Sequence, residues 1–386
     1  MRVVTARGRA TGVLAVLTLA AGLAWHYPML AALGAALLAV VVAEVVAVLA
    51  TGNVAVHREV RPTVVVRHEA CTGTLTITGR RRRGLVRLDA LDEVDGTLVP
   101  VDLPDDGADG TVAVTYPIPT PRRGLLPVGP VRLRRYGLAG MAATSTASGR
   151  VERVRVLPRR IPLGSMMPGH RRAPAGIDTS LEHGGTDLVG LHEYAMGDDL
   201  RRLHWATSAR TGTLMVREDA DPAEPHVQVL LDDRGQSYDG SDDAGGLFEE
   251  AVEMAAALCR AATERGHPLR FATLSGRHAV TVPGSPTRAP LREAQDLDFL
   301  LAEITLTDGR AVDPELGPSA DVAVVVTGAG ADQHRLGLLL GDATTRVVAV
   351  VDPLPLVAAE QRAGVLLLRG AGSMSLAAAW DGAAGR

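Results

Sequence analysis

Two apolar runs open the chain. After MRVVTARGRA, with arginines at 2, 7 and 9, TGVLAVLTLAAGLAW covers 11–25 and MLAALGAALLAVVVAEVVAVLA covers 29–50, with His26, Tyr27 and Pro28 between them. The second run is long enough to span ~30 Å of hydrocarbon at 1.5 Å per residue. The first is shorter and spans with tilt or local thinning. A signal peptide shares the basic start and short apolar region, but an immediate second apolar run favours a two-helix membrane anchor over residues 1–52. Glu44 lies within the second span; an intramembrane acid is either functional or turned towards the partner helix, and the second reading is adopted.

From Asn53 to Pro162 the period changes to that of strands. VAVHREV, TVVVRHEA, TLTITG, LVRLDAL, TLVPVDL, TVAVTYPI, VRLRRYGL and VERVRVLP alternate or run β-branched, with Gly, Pro and Asp clusters between them. Seven or eight short strands at this spacing predict a β-sandwich over 53–162, with Arg80–Arg83 at a hairpin tip.

A third pattern fills 223–386. HVQVLLD reads as a buried strand, and the helix after it places Phe248, Ala251, Val252, Ala255, Leu258, Cys259 and Ala262 on one face and ends at Gly266. Strands PLRFATLS, HAVTVP, DVAVVVTG, TTRVVAVVD and GVLLLRG follow, interleaved with helices around REAQDLDFLLAEI, DQHRLGLLLG and SMSLAAAW. Such alternation predicts a doubly wound α/β domain, a mostly parallel sheet covered on both faces. The fold class is therefore multidomain: helical membrane anchor, β-sandwich, then a Rossmann-like α/β domain, with residues 163–222 as a linker carrying a charged motif.

Charge sharpens the order along the chain. The net charge is −4, and all 40 basic residues are arginine. Residues 51–160 hold 18 Arg against 11 acids, whereas 161–386 carry a balance of −13. A basic stretch beside an apolar anchor suits an anionic leaflet; nucleic acid is disfavoured because aromatic stacking residues are scarce there. Arginines precede the first apolar run and follow the second (Arg58, Arg61, Arg67), and none lies in the turn, so both ends and the bulk of the chain are expected in the cytoplasm of a two-pass membrane protein. Cys71 and Cys259, far apart in sequence, suggest neither a metal cluster nor a disulfide.

In doubly wound sheets ligands bind at the carboxyl ends of strands. Two such loops carry candidate chemistry. Asp232–Asp233–Arg234–Gly235–Gln236–Ser237 would suit a hard cation if the pattern were Asp-x-Ser-x-Ser, but Arg234 and Gln236 occupy the serine positions. An arginine among the ligands repels a divalent ion, so no metal is expected and an Asp232–Arg234 pair is. GAGADQ (328–333) resembles part of a dinucleotide fingerprint, but Gln333 stands at the third glycine position and the loop follows a late strand.

The densest cluster of polar chemistry is GLHEYAMGDDLRRLHWATSARTGTLMVRE (190–218). Asp198 after Gly197 predicts an N-cap with a short helix over Asp199–Ala209. Arg201 and Trp205 then share one helix face, as do His204 and Ser208, and Glu193 is placed to meet Arg201, Arg202 or Arg210. The candidate binding residues are Gly190, Glu193, Tyr194, Gly197, Asp198, Arg201, His204, Trp205, Ser208 and Arg210. Glu193, His204, Ser208 and Asp198 include nucleophile, base and orienter types, but no Gly-x-Ser-x-Gly elbow, His-Glu-x-x-His pair or phosphate loop accompanies them.

The set Gly190, Leu191, His192, Glu193, Tyr194, Gly197, Asp198, Asp199, Arg201, His204, Trp205, Ser208, Arg210 and Gly212 resembles the hallmark of the bacterial domain-of-unknown-function family number fifty-eight. RRGLLPVGPVRL (122–133) is similar to that family's Arg-Gly…Gly-Pro strand. His192 stands where the family usually has arginine, and Arg135–Tyr136–Gly137 replaces an Asp-Pro-Phe-Gly segment. The resemblance implies paired membrane helices, a von Willebrand factor A-like C-terminal domain and a MoxR-type AAA+ ATPase as partner. It implies no enzymatic activity and no cofactor. The expected function is that of a membrane-anchored interaction module, an adaptor or co-chaperone for that ATPase; the alternatives are a hydrolase using Asp232, Asp233 or the Glu193/His204 pair, and a structural membrane scaffold.

Overall fold

Thr5 starts the first helix, α1 (Ala6–Ala24), its hydroxyl accepting the Gly8 N–H at 3.1 Å. The computed structural model describes residues 3–50, 54–79, 86–104, 111–167, 188–194, 203–219, 225–238, 244–284, 291–308, 320–354 and 357–384. The chain divides into two units, Met1–Arg159 and Arg160–Arg386.

In the first unit α1 turns at His26, in the left-handed region at φ 58°, into α2 (Pro28–Leu49). Among the described residues α2 is the helix long and apolar enough to cross a bilayer; α1 is less apolar and carries Arg7 and Arg9 in its first turn. Buried apolar positions recur every seven residues, Gly8, Ala15 and Gly22 on α1 and Gly34, Val41 and Val48 on α2, with Gly8 against Met141 and Glu44 also buried on α2. Small residues let the two backbones approach closely. A Cβ on Gly22 would overlap the backbone of Ala31, and one on Gly34 that of Leu19. Gly34→Leu is therefore expected to cost on the order of 1–3 kcal/mol and splay the pair. Spin labels at Val13→Cys and Val40→Cys would show one narrow distance in the parent and a broad one in the variant; an unchanged distribution would refute the seam.

Among the described residues nine strands follow: β1 (Ala55–Arg61), β2 (Val64–Val66), β3 (Cys71–Thr78), β4 (Val86–Val94), β5 (Thr97–Val101), β6 (Thr111–Ile118), β7 (Gly124–Gly137), β8 (Ala143–Ser148) and β9 (Glu152–Leu157). They form one sheet in the order β1-β3-β6 and another in the order β2-β9-β7-β4-β5, with β8 on β7. Inward residues of both sheets, among them Leu75, Ile77, Tyr116, Val131, Leu133 and Val154, form one buried cluster. β7 is longer than VRLRRYGL predicts, and β8, ATSTAS, is a strand that its small polar residues do not announce; pairing along β7 supports it. The Arg80–Arg83 turn lies outside the described residues.

In the second unit β10 (Leu188–Glu193), α3 (Trp205–Thr211) and β11 (Met215–Asp219) precede β12 (Val227–Leu231), α4 (Ala244–Glu264), β13 (Leu269–Thr273), β14 (Ala279–Val282), α5 (Leu291–Glu303), β15 (Val322–Gly328), α6 (Gln333–Leu339), β16 (Thr345–Val351), β17 (Ala358–Arg362), β18 (Val365–Gly370) and α7 (Ser373–Ala384). The large sheet runs β14-β13-β12-β15-β16-β18-β17, parallel from β13 to β18 with an antiparallel strand at each edge. Phe248, Leu258, Leu301, Leu376 and Trp380 pack on one face, and Leu336 and Leu340 on the other. The order in which strands are added reverses between β12 and β15, which places a crevice at their carboxyl ends.

Candidate functional site

At that crevice the Asp232 carboxylate is enclosed by donors. Arg234 grips it with both arms of its fork, Nε to Oδ1 at 2.7 Å and Nη2 to Oδ2 at 2.8 Å. The hydroxyls of Ser237 (2.6 Å) and Thr327 (2.8 Å) donate to Oδ2, and the backbone N–H of Arg234 to Oδ1. Asp232 is fully buried, and the Arg234 side chain is 12% exposed. Hydrogen bonding to Asp232 raises the affinity of the Arg234 guanidinium for its proton against the opposing effect of burial. The expected ion pair is thus present and occupies the oxygens a hard cation would use. Asp233, also buried, accepts from the N–H and hydroxyl of Ser275 at 3.0 and 2.5 Å. In the GAGADQ loop Asp332 caps α6, accepting from His334 and Arg335 N–H at 3.1 Å. Gly328 lets the loop lie against the Ser237 carbonyl, leaving no space for a side chain.

The charged motif forms a separate small element. β10 and β11 pair antiparallel, with Gly190 opposite Glu218 and Glu193 opposite Met215. Tyr194 N–H donates to the Leu214 carbonyl at 2.8 Å. Asp199 lies outside the described residues, and α3 starts at Trp205: Leu203 bridges to Val216, and His204 N–H donates to the Met215 carbonyl at 2.8 Å, which holds both residues out of the helix. His204 itself is the N-cap, its Nδ1 accepting from Thr207 N–H at 3.2 Å. Gly212, at φ 76°, closes the helix in the left-handed conformation only glycine adopts freely. Ser208 is buried and its Oγ accepts the Met215 N–H at 2.8 Å. His204 and Ser208 are therefore engaged by backbone amides, and among the described residues no hydrogen bond joins either to Glu193. Glu193 is exposed and makes no ion pair with Arg210 there. Trp205, by contrast, is 68% exposed, and Arg210 lies exposed on the same short helix. Gly197, Asp198 and Arg201 lie outside the described residues.

Two polar sites in the first unit are not evident from sequence pattern. Arg58, on an inward position of β1, donates to Asp92 Oδ1 at 3.1 Å, to the Arg150 carbonyl at 2.6 Å and to Glu152 at 3.3 Å. Tyr116 donates to the second Asp92 oxygen at 2.5 Å. Glu44 does not turn to α1; its oxygens accept backbone N–H groups from the β7–β8 turn, Ala139 and Met141, the latter at 2.8 Å. A carboxylate in an apolar helix needs such donors, and here another part of the unit supplies them.

No curated protein matches the chain. Two solved structures show weak likeness. The CARDB domain of the PF1109 protein from Pyrococcus furiosus, in complex with di-metal ions, is 13% identical over 28% of this chain and 90% of that one, at a TM-score of 0.17. The pilus adhesin RrgA from Streptococcus pneumoniae is 12% identical over 78% of this chain and 42% of that one, also at a TM-score of 0.17. Neither informs the fold at that score. The element from the end of β10 through α3 and β11, and the sheet from β12 through most of β16, are another matter: residues 191–349 match the model of the family described as protein of unknown function DUF58, and that part of the chain belongs to the family.

Proposed function

We propose that this chain is a membrane-anchored protein-interaction module, an adaptor or co-chaperone for a MoxR-type AAA+ ATPase. In this reading α1 and α2 cross the bilayer as a hairpin, with both ends and the bulk of the chain cytoplasmic. The strand region is a β-sandwich, and the second unit carries a von Willebrand factor A-like domain with Arg234 in the cation position. The observation that carries the docking proposal is Trp205, 68% exposed on a helix fixed at both ends by hydrogen bonds. Trp380, one of three tryptophans in the chain, is by contrast fully buried. An exposed Trp and an exposed Arg on one short helix are the residue types enriched in interface hot spots. Membrane orientation is supported by Arg7 and Arg9 in the first turn of α1 and by Arg58, Arg61 and Arg67 after α2. The ATPase as partner rests on family membership.

The test is binding of a purified MoxR-type ATPase to the full-length chain in nanodiscs. Trp205→Ala is expected to weaken binding roughly 30-fold, the ~2 kcal/mol of a hot-spot residue, and Arg210→Glu to weaken it further. Both variants should keep the parent's Tm, since neither side chain is buried. Equal affinity of the parent and both variants would move docking away from α3; no binding by the parent would refute the ATPase as partner.

A further inference from the structure

The turn between β7 and β8 reads Gly137–Leu138–Ala139–Gly140–Met141–Ala142–Ala143, seven residues without a polar side chain in a chain that is 22% charged. Most of its backbone polar groups are taken up within the first unit, those of Leu138 excepted. Gly137 N–H donates to the Ala142 carbonyl at 3.0 Å, and Gly140 N–H to the Gly137 carbonyl at 2.9 Å. Ala139 and Met141 N–H go to Glu44. The Met141 carbonyl accepts Thr5 N–H at 2.9 Å, the Gly140 carbonyl accepts the Thr5 hydroxyl at 2.7 Å, and Ala143 N–H reaches the Val3 carbonyl at 2.8 Å. The turn therefore bridges the start of α1 and the last third of α2.

Backbone placed in hydrocarbon must find its hydrogen-bond partners in protein, and most of this turn's backbone has done so. Glu44 precedes the end of α2 by five residues, roughly 7.5 Å at 1.5 Å per residue. Leu138 stays 54% exposed, facing away from any protein partner that would bury it. Arg7 and Arg9 are exposed in the first turn of α1, whose start the turn contacts, and Arg134, three residues before the turn on β7, is exposed as well. From these facts we infer that the 137–143 turn is a third membrane-contacting element, sunk into the boundary between headgroups and acyl chains of an anionic leaflet, with Leu138 in the lipid and Glu44 as its latch. Gly137 serves the same contact, since a Cβ there would press on the Glu44 carboxylate. The strand domain would then be held at the membrane surface at a defined height.

The inference rests on the reading of α2 as a membrane span, and the experiment separates the two. An environment-sensitive probe is attached to Leu138→Cys in the full-length chain, reconstituted in phosphatidylcholine/phosphatidylglycerol vesicles. Cys71 and Cys259 are buried, and the parent chain serves as the labelling blank. Matching probes at Leu33→Cys on α2 and at the exposed Thr213→Cys mark lipid and water. The Leu138 probe is expected to be quenched by a lipid with a nitroxide at acyl carbon 5, and several-fold less by aqueous iodide than the Thr213 probe. Glu44→Leu should return it to iodide while the Leu33 probe stays protected. Iodide quenching at Leu138 equal to that at Thr213, with Leu33 protected, overturns this inference alone. Iodide quenching at Leu33 overturns the anchor as well. A Leu138 probe that stays in lipid in Glu44→Leu overturns the latch.

Discussion

Arg58→Met is expected to cost the first unit roughly 3–5 kcal/mol, because removing one member of a buried ion pair leaves the other uncompensated. The side chains of Arg58 and Asp92 are 2% and 0% exposed. With the guanidinium gone, Asp92 retains Tyr116 as its side-chain donor, and the Arg150 carbonyl and Glu152 each lose a donor. Gly129 belongs to the same arrangement: its φ is 101°, and a Cβ there would overlap the Arg58 guanidinium, so Gly129→Ala should destabilise through both backbone and contact. Removing both buried charges and the hydroxyl together, as Arg58→Met, Asp92→Leu and Tyr116→Phe, should recover much of the loss, since neither Asp92 nor Tyr116 is then left as an unpaired buried polar group. Hydrogen exchange is the suitable readout, because a two-unit chain has no single unfolding free energy. Protection in β3, β4, β6 and β7 should fall in the single variant and return in the triple one, with β12 to β18 unaffected. Unchanged protection in Arg58→Met would show that the cluster does not hold the sheets together. The same cluster sets an alkaline limit. Burial, then the hydrogen bond to Asp92 and its charge, push the Tyr116 phenol well above its ordinary value of 10.0. A proton held more tightly in the folded state stabilises below the unfolded value and is lost as pH rises through the folded one. Stability of the first unit should therefore decline above pH ~10, less steeply in Tyr116→Phe.

What the sequence displays and what it hides follow from the range of the interactions. α4 was legible because Phe248, Val252, Ala255, Leu258, Cys259 and Ala262 repeat at helical spacing, and all six are buried. β12, β15 and β16 were legible as apolar runs covered on both faces, and every residue of β12 and β15 is buried. β17 was not, because AAEQR is exposed throughout and owes its conformation to pairing with β18 at a sheet edge. The expected helix ran through Leu203 and His204 because the cap preference of Asp198 is local, whereas those two residues are held out of the helix by Val216 and Met215 across the turn. The Glu44 contact joins residues 95 and 97 positions apart, and Arg58 meets Asp92 at a separation of 34; neither separation leaves a periodic trace. The Asp232–Arg234 pair was legible for the opposite reason, since two residues of separation in a tight loop leave the side chains little choice.

That pair supports the second large effect. Asp232→Ala is expected to destabilise the second unit by roughly 3–5 kcal/mol, because it strands a mostly buried guanidinium and leaves two buried hydroxyls without their acceptor. Thr327 and Ser237 join the ends of β15 and β12 through that one carboxylate, so the loss should appear as reduced protection on both strands. Arg234→Ser acts differently, since it leaves a fully buried carboxylate with neutral donors only. Such an oxygen cluster favours a hard cation once the arginine is removed. The variant should melt below the parent in chelator and recover with millimolar Mg2+, by about 2.7 kcal/mol at a hundredfold excess over Kd. The parent should show no such response, because an entering ion would have to displace both arms of a bidentate, charge-assisted contact. A parent whose Tm climbs with Mg2+ would mean that Arg234 yields its place, and the site would then have to be read as a cation site gated by its own arginine. A variant that stays unresponsive would instead put the hold on Asp232 in the hydroxyls of Ser237 and Thr327.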